Sequence, residues 1–505
     1  MVKIRPPFTW FGRYTAWLSG GSLLVVAAMF RLWRLDTLPP GLYTGEAKIG
    51  SEALRLALHG QLPALTSSND YSALWVWLQA LSVKLLGHTP LALRLWPAIL
   101  GIAAVMVTWL WAKTWFGARI GWLAAFLMAV TPWTVTLSRN AESTALIMLL
   151  VPLTFWVATW TYHRQNLLWH LLLAATLTLD LLAGPLGWLL TATTIGIGTV
   201  MLFQRHELFK FNRARLVGLG ALVIGLGLTA WSFATSLAAL AKLPGALGLG
   251  AKTSFFATLL MFNLHGDENF RHNFGAEPLL NAFVGLMFVA GVLVTISRLG
   301  ERRYQILGIG FVALLLPAAL STIGAPNAAR AVGAMPVIFV LAAIGISYML
   351  ELWYATFPIN SAARTTGQSV MLLLLILTLF QGYAQYFRAW ANSAETYAAY
   401  DEPAVAAAKY IRDEQKPAKP RFFVGSVDEI VISQYLDDGT SFTTLEPKGI
   451  AGLPLLQSGR EFIITAGTRD EAVKNLSLKF PGGKLKPHLS PFSQNEIYYT
   501  YEAAQ

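Results

Sequence analysis

The sequence predicts an all-α polytopic membrane bundle followed by a small C-terminal extracytoplasmic α/β domain, on three observations. The 505 residues are 55% hydrophobic and only 13% charged, with positive mean hydropathy, a balance foreign to soluble domains. Apolar runs long enough to cross a bilayer, roughly 17 to 25 residues each, recur up to about residue 388. From about Tyr400 they give way to short alternating helix and strand signals.

About eleven transmembrane helices are expected, near 14–33, 91–112, 120–138, 143–162, 167–183, 185–203, 216–236, 277–297, 306–322, 331–353 and 368–386. The first span is too long for a cleaved signal, and FRLWRL stands where a small-residue cleavage site would follow. Basic residues gather in alternate links: Lys3, Arg5 and Arg13, then Lys113 and Arg119, Arg164, Arg205 to Arg215, Arg298 to Arg303, and Arg364. The positive-inside rule makes those links and the amino terminus cytoplasmic. The loops 34–90 and 237–276, the link 324–330 and the carboxyl-terminal segment then lie outside a cell membrane. The net charge of +11 therefore reads as topology and implies no nucleic-acid partner. No cysteine is present, which removes disulfides, thiol catalysis and thiolate metal sites.

Residues 1–390 form the transmembrane domain and 391–505 the outer α/β domain. In the latter EPAVAAAKYIRDEQ, DEIVISQYL and RDEAVKNL read as helices, and RFFVGS, EFIIT and NEIYYTYE as strands. It carries no Gly-rich phosphate loop and no cluster of His with acidic residues, so a lid, packing or partner-binding role is expected.

Ionisable residues crowd the first outer loop, which holds Asp36, Glu46, Lys48, Glu52, Arg55 and Asp70. Carboxylates beside a membrane bundle usually belong to a working site. Glu46 opens the amphipathic stretch AKIGSEALRLAL, where it either complements the helix dipole or acts as a catalytic base. Asp70 precedes LWVWLQALSVKLL and is either a cap or a second site carboxylate. Trp75 and Trp77 are expected as interfacial anchors.

Arg139, Glu142 and Asp180 fall near outer ends of spans three to six. An Arg there can grip a phosphate bidentately, with snorkelling the alternative for Arg139. Arg330 closes GAPNAAR on the outer side, against the orientation bias, and asks for an anionic partner. HGDENFRH supplies His265, Asp267, Glu268, Arg271 and His272. Its order matches neither a zincin nor an EF-hand, so Asp267, Arg271 and His272 are expected to bind a polar substrate rather than a metal, and no cofactor is expected.

Three stretches, FRLWRLDTLPPGLYTGEAKIGSEALRLALHG, LQALSVKLLGHTPLALRLWPAILG and AKTWFGARIGWLAAFLMAVTPWTVTLSR, carry a resemblance, continued by GDENFRHNFGAEPLLNAFVGLMFVAG and GAPNAARAVGAMPVIFVLAAIGI. Together they resemble the GT-C membrane glycosyltransferases related to protein O-mannosyltransferases and the lipid A aminoarabinose transferase. The resemblance implies inverting transfer of a sugar from a polyprenyl-phosphate donor in the lipid bilayer to a protein, lipid or glycan acceptor outside. It also implies that a first-loop carboxylate, Glu46 or Asp70, takes the acceptor proton, and that Arg330 with Arg139 holds the departing phosphate. That family carboxylate is usually the Asp of an Asp-Glu pair, whereas this chain reads Gly45-Glu46. A catalytically silent, lipid-sugar-binding or accessory member is therefore the alternative. A transporter is disfavoured because the charges sit at span ends and no inverted, broken segments are visible.

Overall fold

Buried all round, as only a helix at the centre of a bundle can be, α14 (Met335–Thr356) is the axis of the transmembrane region, and residues 332–346 of its entry and first turns bury every side chain. The computed structural model describes residues 14–60, 72–204, 213–214, 216–224, 227, 249–321, 324–413, 419–437, 442–454, 459–490 and 494–503. Around the axis stand α1 (Tyr14–Leu32), α4 (Pro90–Phe116), α5 (Ala118–Val130), α7 (Thr144–Arg164), α8 (Leu167–Leu182), α9 (Pro185–Gln204), α10 (216–224), α11 (Leu249–Leu260), α12 (Ala282–Ser297), α13 (Arg302–Ala319) and α15 (Ser361–Tyr383). Five of the described helices are long and apolar enough to cross a membrane, and several shorter apolar helices accompany them. Gly291 on α12 and Gly345 on α14 let the two backbones touch: a Cβ on either would collide with the facing helix's carbonyl at Leu341 or Met287.

The span expected over 120–138 is instead two helices, α5 and α6 (Pro132–Leu137). Pro132 supplies no N–H and ends the ladder, freeing carbonyls of the preceding turn. The buried Arg31 of α1 takes them up, donating to Met128 O at 3.3 Å and Ala129 O at 3.1 Å. An arginine in an otherwise apolar span is thus the partner of a broken helix. Of the span expected at 216–236, only 216–224 and 227 are described; Asp70 and most of the first half of the 237–276 loop lie outside the described residues.

The loop between α1 and α4 contributes α2 (Thr44–His59) and α3 (Ala73–Leu86), the latter capped by Ser72, whose side chain accepts from Trp75 N at 3.2 Å. Trp75 is not an interfacial anchor. It is fully buried and donates Nε1–H to Ala141 O at 3.0 Å, whereas Trp77 stays exposed.

After α16 (Ala394–Ala399) the chain builds α17 (Glu402–Asp413), β1 (Arg421–Val424), α18 (Val427–Leu436), β2 (Thr443–Leu445), β3 (Arg460–Thr465), α19 (Arg469–Lys479), β4 (Lys484–Leu489) and β5 (Glu496–Ala503). The sheet order is β2-β1-β3-β5-β4, with β1 parallel to β2 and β3, and β5 antiparallel to β3 and β4. The two edge strands are those that the sequence pattern does not reveal. β2 has three residues, and β4 reads KLKPHL, the lysines and proline that blunt an edge. Phe423 and Ile463 point to a core shared with α2, α3 and α4, while Phe422, Val424, Phe462 and Ile464 face α19. The domain is therefore seated on the first loop: the Tyr435 ring covers Gly50, and its hydroxyl donates to Thr89 O at 3.2 Å.

Candidate active site at the domain-covered end

Two buried arginines build the floor of the first loop. Arg139 donates to the carbonyls of Phe30 at 3.1 Å, Trp33 at 2.8 Å, Arg34 at 3.2 Å and Leu38 at 2.9 Å. Arg94 donates to Pro39 O at 2.6 Å and Gly41 O at 2.7 Å, and pairs with Glu46 Oε2 at 2.9 Å. The other oxygen of Glu46 accepts from Ala141 N at 2.8 Å, and both side chains of the pair are wholly buried. Neither Arg139 nor Glu46 faces an open space; both are buried and hydrogen-bonded to backbone of the first loop and the 138–143 turn. Gly45 fits this packing, since a Cβ there would collide with the Tyr43 ring.

The polar groups that retain some exposure converge beside that floor. Tyr43 Oη donates to Glu142 Oε1 at 2.6 Å, His272 Nε2 meets the same oxygen at 3.4 Å, and His272 Nδ1 meets Asp267 Oδ2 at 3.4 Å. Asp267 anchors the far end by accepting from Asn269 N at 2.9 Å and Ala328 N at 2.8 Å. Arg271 lies 4.6 Å over the Tyr43 ring and donates through Nε to Ala399 O at 2.9 Å. Asn140 joins Arg271 O to the Tyr400 hydroxyl. Five separate segments thus meet, from α2, the 138–143 turn, the 265–277 loop, the 324–330 link and the 399–401 junction.

Charge is unevenly shared along this chain of bonds. Burial pushes the Tyr43 phenol well above its ordinary value, and Glu142 and Glu46 add to it, so Tyr43 donates. Burial would lower His272, but Glu142 and the hydrogen bond that the ring donates to Asp267 outweigh it and push the imidazole up to about 9. The same imidazolium, against the opposing effect of burial, holds the Glu142 carboxyl below its usual value. Glu142 is consequently an ionised carboxylate with 21% side-chain exposure, the most open of the three, against 12% for His272 and 6% for Asp267. Its Oε2 accepts no hydrogen bond among the described residues.

A raised histidine carries a testable sign. The folded state binds the His272 proton more tightly than the unfolded chain, so its stabilisation is full below the ordinary value of 6.5 and is lost as pH rises through about 9. The loss is about 3 kcal/mol. Thermal unfolding from pH 6.5 to 9.5 is expected to show this decline, and His272→Gln to flatten it; an equal decline in the variant would refute the assignment.

Of the residues singled out from sequence, Asp267, Arg271 and His272 come together, and Arg330 is exposed two residues beyond Ala328 on the same link. Asp180 lies apart, buried on α8 with both oxygens accepting from Thr154 Oγ1 at 3.2 and 3.0 Å. Glu142 is central where the sequence marked it only as a span-end acid. Tyr43, Asn140 and Tyr400 carry no pattern of their own, because they are joined only by the fold. Among the described residues no group of His, Asp and Glu side chains converges to hold a metal ion.

Residues 70–231 match the dolichyl-phosphate-mannose-protein mannosyltransferase family. The structure is similar to ArnT from Cupriavidus metallidurans in the apo state, at 15% identity over 97% of this chain and 98% of that chain, with a TM-score of 0.53. It is likewise similar to ArnT bound to undecaprenyl phosphate, at 14% identity over 98% of each chain and a TM-score of 0.52. AglB from Archaeoglobus fulgidus, in complex with an inhibitory peptide and a dolichol-phosphate, aligns at 14% identity over 98% of this chain and 75% of that chain, with a TM-score of 0.54. No curated protein matches the sequence.

Proposed function

We propose that this chain is a GT-C-type membrane glycosyltransferase that moves a sugar from a polyprenyl-phosphate donor to an acceptor hydroxyl at the domain-covered end of the bundle, inverting the anomeric carbon; the family match over residues 70–231 and the shared fold support the reading. The observation that carries the reading is Glu142: one oxygen is fixed by Tyr43 and His272 while the other stays open. A base needs this arrangement, an ionised carboxylate whose orientation is set from behind. The basic links at the opposite end of the bundle support an extracytoplasmic placing of the site.

In the proposed step the acceptor oxygen gives its proton to Glu142 Oε2 as it bonds to the anomeric carbon. The bond from that carbon to the phosphate oxygen breaks, and polyprenyl phosphate leaves with the electron pair. Arg330, exposed beside the Asp267 anchor, and Arg271, positioned by Tyr43 and Ala399 O, meet the phosphate charge. The prenyl tail remains in lipid, and the acceptor arrives from the aqueous side. Glu46 and Arg139 serve as the rigid support of this site.

Purified protein in lipid nanodiscs, given a polyprenyl-phosphate sugar and an acceptor-containing membrane extract, is expected to release free polyprenyl phosphate. Donor that binds and stays intact under all conditions would favour the silent, accessory reading. Arg330→Ala is expected to weaken polyprenyl-phosphate binding about tenfold, the worth of one charge-assisted contact; unaltered affinity would remove Arg330 from the site.

A further inference from the structure

A second recess lies at the other end of the bundle. The last turns of α4 and α7, the first turns of α8 and α13, and α9 with α10 enclose a cavity of about 820 Å³. Its walls are apolar, among them Phe155, Leu173, Leu177, Ile195, Leu202 and Leu222, whereas Tyr162, His163, Gln165, His170, Arg302 and Arg303 gather at one end. From Phe155 to His163 along α7 the rise is about 12 Å, which is less than half of the roughly 30 Å hydrocarbon core. The cavity therefore has the depth of one leaflet.

The basic end is not equally committed. Arg303 pairs with Glu301 at 2.7 Å, donates to Trp115 O at 3.2 Å and lies over the Phe116 and Tyr304 rings. Arg302 is exposed and donates to the Tyr162 hydroxyl at 3.2 Å, with no carboxylate at ion-pair distance among the described residues. Around the cavity α8, α9 and α10 turn Leu171, Leu172, Val200 and Val223 outward, the surface of a lipid-facing wall. α7 itself has 21 residues, so about 30 Å separates the basic end of this recess from Glu142, and about 20 Å its deepest wall at Phe155.

We propose that this cavity binds an anionic phospholipid, its acyl chain among the apolar walls and its phosphate at Arg302. Charge complementarity selects the head group, and one-leaflet depth selects a chain that enters from the same side. The inference does not rest on the transferase reading, because the two sites lie at opposite ends of the bundle.

Thermal unfolding of the whole chain in mild detergent is the test, with phosphatidylglycerol, phosphatidylcholine, undecaprenyl phosphate or inorganic phosphate added. Phosphatidylglycerol is expected to raise Tm by several degrees and phosphatidylcholine to leave it nearly unchanged. Gly198 lines the cavity, and a Cβ there meets nothing within 4 Å. Gly198→Trp is accordingly expected to fold with an unshifted lipid-free Tm and to lose the response. Arg302→Gln is expected to erase the preference between the two phospholipids. Equal responses of the wild type to both phospholipids, or a full response in Gly198→Trp, would overturn the proposal. So would an equal shift with inorganic phosphate, which would make this a free-anion site, or with undecaprenyl phosphate, which would make it a donor site.

Discussion

Glu142→Gln is expected to lower sugar transfer by about a thousandfold, within the range of a general base, while polyprenyl-phosphate affinity changes little and thermal stability near neutral pH falls by part of the His272 contribution. Gln can still accept the Tyr43 proton, so the turn keeps its shape; what disappears is the negative charge and the open oxygen that takes a proton. His272 supplies an independent readout. Its raised value owes most to Glu142 among the groups that raise it, so in the variant the alkaline transition of unfolding should move toward the ordinary imidazole range. Product formation and lipid binding are measured on the same preparation. A turnover within a few fold of wild type would remove Glu142 from the reaction, even if His272 shifted as expected.

How far the sequence could lead to this site depended on how local each signal was. The axis helix is written in an unbroken apolar run, and the helices of the C-terminal domain and its three inner strands in short local helix and strand signals. The edge strands β2 and β4 escape that rule, being short or charged by the need to avoid further pairing. The HGDENFRH loop could be read as a binding segment because its polar residues are contiguous. Its partners could not, since Glu142 lies 130 residues from His272 and Ala328 lies 61 from Asp267. The charge of the first loop pointed to a site without revealing which charges face the outside. Glu46 looks identical in sequence whether it meets a substrate or Arg94, and the choice is made by a residue 48 positions away. Gly45 carries the same lesson: a Cβ there would meet the Tyr43 ring, and Tyr43 in turn orients Glu142.

The buried pair provides the second large effect, and it separates support from chemistry. Arg94→Met leaves the Glu46 carboxylate uncompensated in a closed space and orphans the carbonyls of Pro39 and Gly41. Breaking one side of such a pair costs about 3–5 kcal/mol, so a large fall in Tm is expected. Glu46→Gln leaves Arg94 charged while its two carbonyl acceptors and the Ala141 N–H can still be satisfied, and its cost should fall at the lower end of that range. Adding Glu46→Gln to Arg94→Met removes the uncompensated charge but not the two orphaned carbonyls, so the double variant is expected to recover only part of the loss. In each case transfer per folded molecule, measured well below the lowered Tm, is expected to stay within about tenfold of wild type, since a support residue acts through the fraction folded and the position of the 138–143 turn. The opposite pattern, an unchanged Tm with transfer abolished in Glu46→Gln, would return the base to the first loop and make Glu142 a residue that positions the acceptor. The two variants, Glu142→Gln and Glu46→Gln, therefore have to be read together, because each assignment predicts stability loss in one and activity loss in the other.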